Sequence, residues 1–220
     1  MNREILTKCD QIKDLGVNIS CDLKWKTHIS IIRKRAFNVC YFIFRSFTTQ
    51  NIWILVEAFK VYARPILEYN SSIYNPYLID DIKKIEGVQK YFIKTLCKRC
   101  NIKTTSYQQR LEMLNLKTLQ YRRVVFDLIL VFKIINNLID IESKDFFTFQ
   151  KSQYNLRRHN QCLSLPKCKG NTRANFFSYR VVKTWNALPS EIVSATSLEC
   201  FKTKLKNFDI ATIYEFQKFD

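Results

Sequence analysis

The chain has 220 residues, 47% of them hydrophobic: enough for one large domain or two small ones with a sizeable core, and too many for global disorder. Three glycines and four prolines disfavour a many-turned sandwich or barrel and favour helices on short links. The net charge of +17 is carried by two blocks, +10 over residues 24–103 and +8 over residues 151–190, while the flanking segments are nearly neutral. Such blocks repel themselves, and a polyanion relieves that repulsion.

Residues 4–19 read as a β-hairpin. Apolar positions alternate at Leu15, Val17 and Ile19, and Gly16 stands where backbone approaches something closely. From Trp25 the period changes to that of a helix. Trp25, Ile29, Ile32, Ala36, Val39, Ile43 and Phe47 form one apolar stripe about six turns long, with Lys26, Arg33, Lys34 and Arg35 off it. A second helix is expected over residues 51–63, broken by Arg64-Pro65, with another break at Asn75-Pro76. A third, over residues 78–96, turns Leu78, Ile82, Ile85, Gln89, Phe92 and Leu96 inward and Lys83, Lys90 and Lys94 outward.

Residues 106–114 predict a short helix. Residues 118–138 predict a long one, apolar almost all round after Arg123 and so buried in the middle of something. Residues 148–172 are polar, basic and unpatterned, and read as a long loop. Two helices follow, over 176–188 and 197–208, the latter with Leu198, Phe201, Leu205 and Phe208 on one side. The expected fold is mainly α: a hairpin (1–23), a helical bundle (24–147), a basic loop (148–172) and a smaller helical module (173–220).

Several segments, taken in order, resemble the region downstream of the polymerase palm in jockey-like, non-long-terminal-repeat retrotransposon reverse transcriptases. They are Asp14-Leu15-Gly16-Val17, Trp25-x-x-His28-Ile29, the run from Tyr62 to Pro76 (YARPILEYNSSIYNP), Ile85-Glu86-x-Val88-Gln89, the leucine–arginine pattern from Tyr107 to Arg123, Phe132-Lys133-Ile134, and Arg180-x-x-x-x-Trp185-Asn186-x-Leu188-Pro189. Tyr74 departs from a frequent tryptophan of the family. The resemblance implies a helical thumb and a helical region after it, with Leu15 and Gly16 in a hairpin near the primer end. Family polymerases hold two magnesium ions on palm carboxylates. The matching segments include no such carboxylates, so the resemblance implies a chain that grips RNA, DNA or an RNA–DNA hybrid beside a palm domain of the same element. Neither catalysis nor a cofactor of its own is expected of this chain. A free-standing nucleic-acid-binding module and the relic of a decayed element are the alternatives.

The cations supply the candidate site. Lys26, Arg33, Lys34 and Arg35 on the first helix, and Lys83, Lys90 and Lys94 on the third, are expected to meet phosphates. In the loop, Arg157, Arg158, Lys167, Lys169 and Arg173 have no acid among them, and Tyr154 is placed to stack on a base. Tyr69, Tyr74 and Trp185 read as core residues, and Glu68 and Glu86 as structural partners for arginine.

Asp80-Asp81 resembles the polymerase Tyr-x-Asp-Asp pair only superficially. The spacing from Tyr77 is one residue too long, and acids here suit the first turn of a helix. Cys97 and Cys100 have the spacing of half a zinc site, but His159, Cys162 and Cys168 are too loosely spaced for the other half, so two ordinary thiols are expected. His28 reads as lying off the apolar stripe and His159 as part of the basic loop; neither reads as a base or ligand. The N-terminal residues open no secretory signal, and the longest apolar run, residues 124–132, is too short to span a bilayer. Scattered cysteines then suggest reduced thiols in an intracellular protein of nucleus or cytoplasm, without a membrane.

Overall fold

The computed structural model describes residues 9–103, 106–150 and 159–219. The protein is mainly α-helical, with one two-stranded antiparallel hairpin near its N-terminus. It packs as two compact units. The first takes the chain as far as Asn70 and then Pro76–Leu116; the second takes Ser71–Asn75 and Lys117–Lys218.

In the first unit β1 (Gln11–Asp14) pairs with β2 (Val17–Ser20) through a two-residue turn, Asp14 opposite Val17. Leu15 (φ +43°) and Gly16 (φ +83°) both adopt left-handed backbone, the turn that matches the natural twist of two strands. Gly16 also faces the Tyr69 ring, where an added Cβ would sit 3.5 Å from Cε1. Helix α1 (Lys26–Ser46) buries His28, Ile29, Ile32, Ala36, Cys40 and Ile43, close to the expected stripe. His28 is a correction: it lies inside the packing, 2% exposed, and its Nδ1 accepts the Asn18 amide at 3.3 Å, tying hairpin to helix.

The expected break at Arg64-Pro65 does not occur. Helix α2 (Ile52–Ala58), capped by the Asn51 side chain, widens into a π-helical turn (Phe59–Ala63) and continues as α3 (Arg64–Glu68). The Arg64 amide bonds to the Phe59 carbonyl, five residues back. That wider register accommodates a proline that would break an α-helical ladder. Within α3 Glu68 faces Arg64 at 3.8 Å, as expected.

After the short α4 (Ser71–Tyr74), which belongs to the second unit, α5 (Ile79–Arg99) buries Ile82, Ile85, Val88, Gln89, Phe92, Ile93 and Leu96. Leu78, expected inward, is its exposed N-cap residue. Asp80 and Asp81 do occupy the first turn, though neither caps it; Asp81 is buried and pairs with Lys84 at 3.0 Å. The Cys100 thiol donates to the Gln50 carbonyl at 3.2 Å, and Cys97 is buried at the helix end.

Helix α6 (Tyr107–Met113) opens on a capping box between Ser106 and Gln109. Its Tyr107 hydroxyl donates to Glu86 at 2.7 Å and accepts from Gln89 at 3.0 Å; burial, with the Glu86 charge adding to it, pushes the Tyr107 pKa far up. With glycine scarce, asparagine takes the left-handed position after helices: Asn101, Asn115 and Asn137 all have φ near +50°. In each case the next amide reaches six-to-one back into the helix, Ile102 to Cys97, Leu116 to Leu111 and Leu138 to Lys133.

The second unit is built on α7 (Leu119–Ile135), capped by Thr118. Sequence patterning places this helix in the N-terminal bundle; it packs instead with α4 and the C-terminal helices. Around it lie α8 (Ser143–Phe146), α9 (Asn171–Ala174), α10 (Phe177–Asn186), α11 (Ser190–Val193) and α12 (Leu198–Asn207). Phe132 stacks on Phe201 with centroids 4.3 Å apart, and Trp185 is fully buried against them.

Part of the expected basic loop is docked into this core. His159 is buried edge-on to Trp185, with Nε2 3.0 Å from the Trp185 carbonyl, another correction to its expected place. The Asn186 side chain copies a strand partner, exchanging two 2.8 Å hydrogen bonds with the Leu163 backbone. Tyr74 and Trp185 are core residues as expected, while Tyr69 is exposed.

A buried ionic cluster fastens α4 and its following residue to α7 and α10. Arg180 makes a two-pronged pair with Asp127, both contacts 2.9 Å, and donates to the carbonyls of Ser72 (2.6 Å) and Asn175 (3.0 Å). Asn75 donates to Asp127 at 3.3 Å and accepts from Arg123 Nε at 3.1 Å. Three segments that carry the resemblance, around residues 75, 123 and 180, thus meet in one network.

Candidate nucleic-acid interface

Helix α1 holds five cations, Lys26, Arg33, Lys34, Arg35 and Arg45, and no acid; the acid-free stretch runs from residue 23 to residue 56. A second acid-free stretch, residues 87–111, takes in most of α5 and holds Lys90, Lys94, Lys98 and Arg99. These two helices pack against each other.

The seam between them is aromatic. Phe44 stacks on Phe92 at 4.8 Å, and Phe92 on Phe59 at 4.5 Å. Phe37 meets Tyr91 edge-on at 5.2 Å, and the Arg33 guanidinium lies over the Phe37 ring at 5.0 Å. The Arg99 guanidinium closes one end of the seam, donating to the carbonyls of Phe44 and Phe47.

At 100° per residue, Lys26, Arg33 and Phe37 form one row on the α5 side of α1, and Lys34 lies about a quarter-turn round the helix from it. On α5, Lys83 and Lys94 share an exposed row, with Tyr91 and Lys98 beside it. The contact Arg33–Phe37–Tyr91 therefore joins one cation of α1 to an exposed ring of α5. Among the described residues none of Lys26, Arg33, Lys34, Lys83 and Lys94 is in an ion pair. Cations outside ion pairs are open to a bound anion.

Lys90, seven residues after Lys83 and four before Lys94, belongs to the same row of α5; it is half-buried with its Nζ 5.8 Å from the Tyr107 ring centre. Other expected contacts lie elsewhere. Arg35 is exposed on the opposite flank of α1 from Lys26. Lys167, Lys169 and Arg173 are exposed in the second unit, where Arg173 donates to the Tyr179 hydroxyl at 2.8 Å. Arg157, Arg158 and Tyr154 lie outside the described residues. Leu15 and Gly16 form the hairpin turn, Leu15 being exposed.

Sequence reasoning missed the rings, Phe37, Tyr41, Phe42 and Tyr91. A signal was present: all four stand off the apolar stripes of their helices. Among the described residues no group of three or more His, Cys, Asp or Glu side chains is placed to hold a metal ion, and no helix is long and apolar enough to cross a membrane.

No protein-family model matches the chain, and no solved structure matches it. It is similar to an uncharacterized protein of Caenorhabditis elegans, 31% identical over 116 residues, which make up 53% of this chain. The match spans 59% of that relative's length.

Proposed function

We propose that the first unit grips the phosphate backbone of RNA or of an RNA–DNA template–primer, the task of the thumb in the jockey-like reverse transcriptases that the sequence resembles. One observation carries this reading: α1, which holds no acid, packs against α5, which holds none after Glu86, with Lys26 and Arg33 on the α5 side of α1 and Lys83 and Lys94 on an exposed row of α5. Cations spaced along such a seam displace condensed counterions from a polyphosphate, which favours binding without reading sequence. The polymerising chemistry belongs to a palm domain, so the 220-residue chain on its own is not expected to incorporate nucleotides.

The test is direct binding of the purified chain to duplex DNA, an RNA–DNA hybrid and single-stranded RNA over a salt series. Dissociation constants on the order of 1–100 μM near physiological salt are expected, tightening steeply as salt falls. Absent or salt-independent binding would contradict the reading, as would nucleotide incorporation above background.

A further inference from the structure

Helix α1 has a second positive face, away from its packed row. Lys34, Arg35, Asn38, Tyr41, Phe42 and Arg45 each have another of the set three or four residues away, so together they cover one strip about 120° wide, and every one is exposed. Tyr41 is 59% and Phe42 60% exposed, their rings edge-on with centroids 6.3 Å apart. The core does not need them: Ile29, Ile32, Ala36, Cys40 and Ile43 complete the buried row. Lys34 and Arg35 lie about two turns before the rings and Arg45 one turn after, with no acid on the helix.

From this strip we infer that Tyr41 and Phe42 are stacking platforms for the unpaired bases of a single-stranded nucleic acid. The flanking cations select a polyanion, and the rings select a polyanion whose flat faces are free. A duplex hides those faces within its own stack; a single strand offers them. The inference rests on the proposed nucleic-acid reading and adds the form of the ligand to it: unpaired strand on this strip, backbone phosphates along the α1–α5 seam.

The test uses the full chain and three fluorescein-labelled probes of about a dozen units, within the usual site size of a small single-strand-binding domain: oligo(dT), duplex DNA, and an abasic deoxyribose-phosphate oligomer that keeps the phosphates and lacks the bases. Tyr41→Ala and Phe42→Ala are each expected to weaken oligo(dT) binding about tenfold. Affinity for the duplex and the abasic oligomer should stay unchanged. Tyr41→Phe and Phe42→Trp keep a ring and should keep the oligo(dT) affinity, which separates stacking from misfolding. Alanine variants that bind oligo(dT) like the parent would overturn the inference, as would an equal loss on all three probes. Should the parent bind none of the probes, the nucleic-acid reading falls as well. Unchanged affinity together with altered sedimentation of the alanine variants would assign the rings to a second copy of the chain instead.

Discussion

Replacing Arg180 by methionine tests the packing of the second unit most severely. Its guanidinium carries four hydrogen bonds: two to Asp127, one to the Ser72 carbonyl and one to the Asn175 carbonyl. The two side chains are 14% and 6% exposed, so water cannot take its place. Methionine fills similar volume but leaves the Asp127 charge with the neutral side chains of Asn75, at 3.3 Å, and Ser72 in place of a cation.

Breaking one side of a buried pair costs about 3–5 kcal/mol, a factor of roughly 10² to 10⁴ in the folding equilibrium. The loss should depend on pH. Burial already pushes the Asp127 pKa up, and Arg180 pulls it part of the way back. Without Arg180 it rises further. Between the unfolded carboxyl range and that raised value the folded state holds the extra proton, so the variant recovers stability relative to the parent as pH falls. Urea unfolding followed by Trp185 fluorescence, with Trp25→Phe and Trp53→Phe in the background, reads this unit alone. The double variant Arg180→Met with Asp127→Leu should recover most of the loss. A single-variant cost below about 1 kcal/mol at pH 7, the same cost at pH 5, or no recovery in the double variant would refute the reasoning.

Two further outcomes concern the hairpin. Gly16→Ala should cost about 1–2 kcal/mol through the strain of φ +83°, and not through crowding, since the new methyl meets Tyr69 at ordinary contact distance. Urea unfolding monitored by circular dichroism would measure it, and a cost matching a neutral surface change would contradict the turn assignment. His28 is held below its ordinary pKa by burial, and its unprotonated Nδ1 accepts the Asn18 amide. Its contribution is therefore complete above about pH 6.5, the unfolded value, and is lost as pH falls toward the folded one. The protection factor of the Asn18 amide, its exchange rate corrected for the intrinsic pH dependence, should fall over that window and lose the dependence in His28→Gln; a flat profile in the parent would speak against the contact.

The helical periods of α1 and α5 were legible because one-sided burial leaves a repeating apolar trace: Ile29, Ile32, Ala36 and Ile43 fall where the spacing puts them. The all-round apolar pattern of α7 announces burial but not the partner, which is why the helix could be expected in the N-terminal bundle and yet pack with Trp185 and Phe201. Pro65 misleads for a different reason. The rule against helical proline is local, and the π-helical turn Phe59–Ala63 just upstream removes the conflict. The cations of the candidate interface were visible as charge. Their setting was not, because Arg33 reaches α5 only through Phe37 and Tyr91, rings 54 residues apart that no sequence pattern ties together. Asp127 and Arg180, 53 residues apart, each look like ordinary surface charge until the fold buries both.

The central claim is that cations at the α1–α5 seam hold phosphates. The measurement that tests it most directly is the slope of log affinity against log salt for duplex DNA, in the parent and in a variant with Lys26, Arg33 and Lys94 changed to glutamine. All three side chains are exposed, so the variant should fold. Each lost phosphate contact removes about 0.9 from the slope, so the variant should be shallower by roughly 2 to 3 and weaker at low salt. A variant with the parent's slope and affinity would show that the seam holds no phosphate.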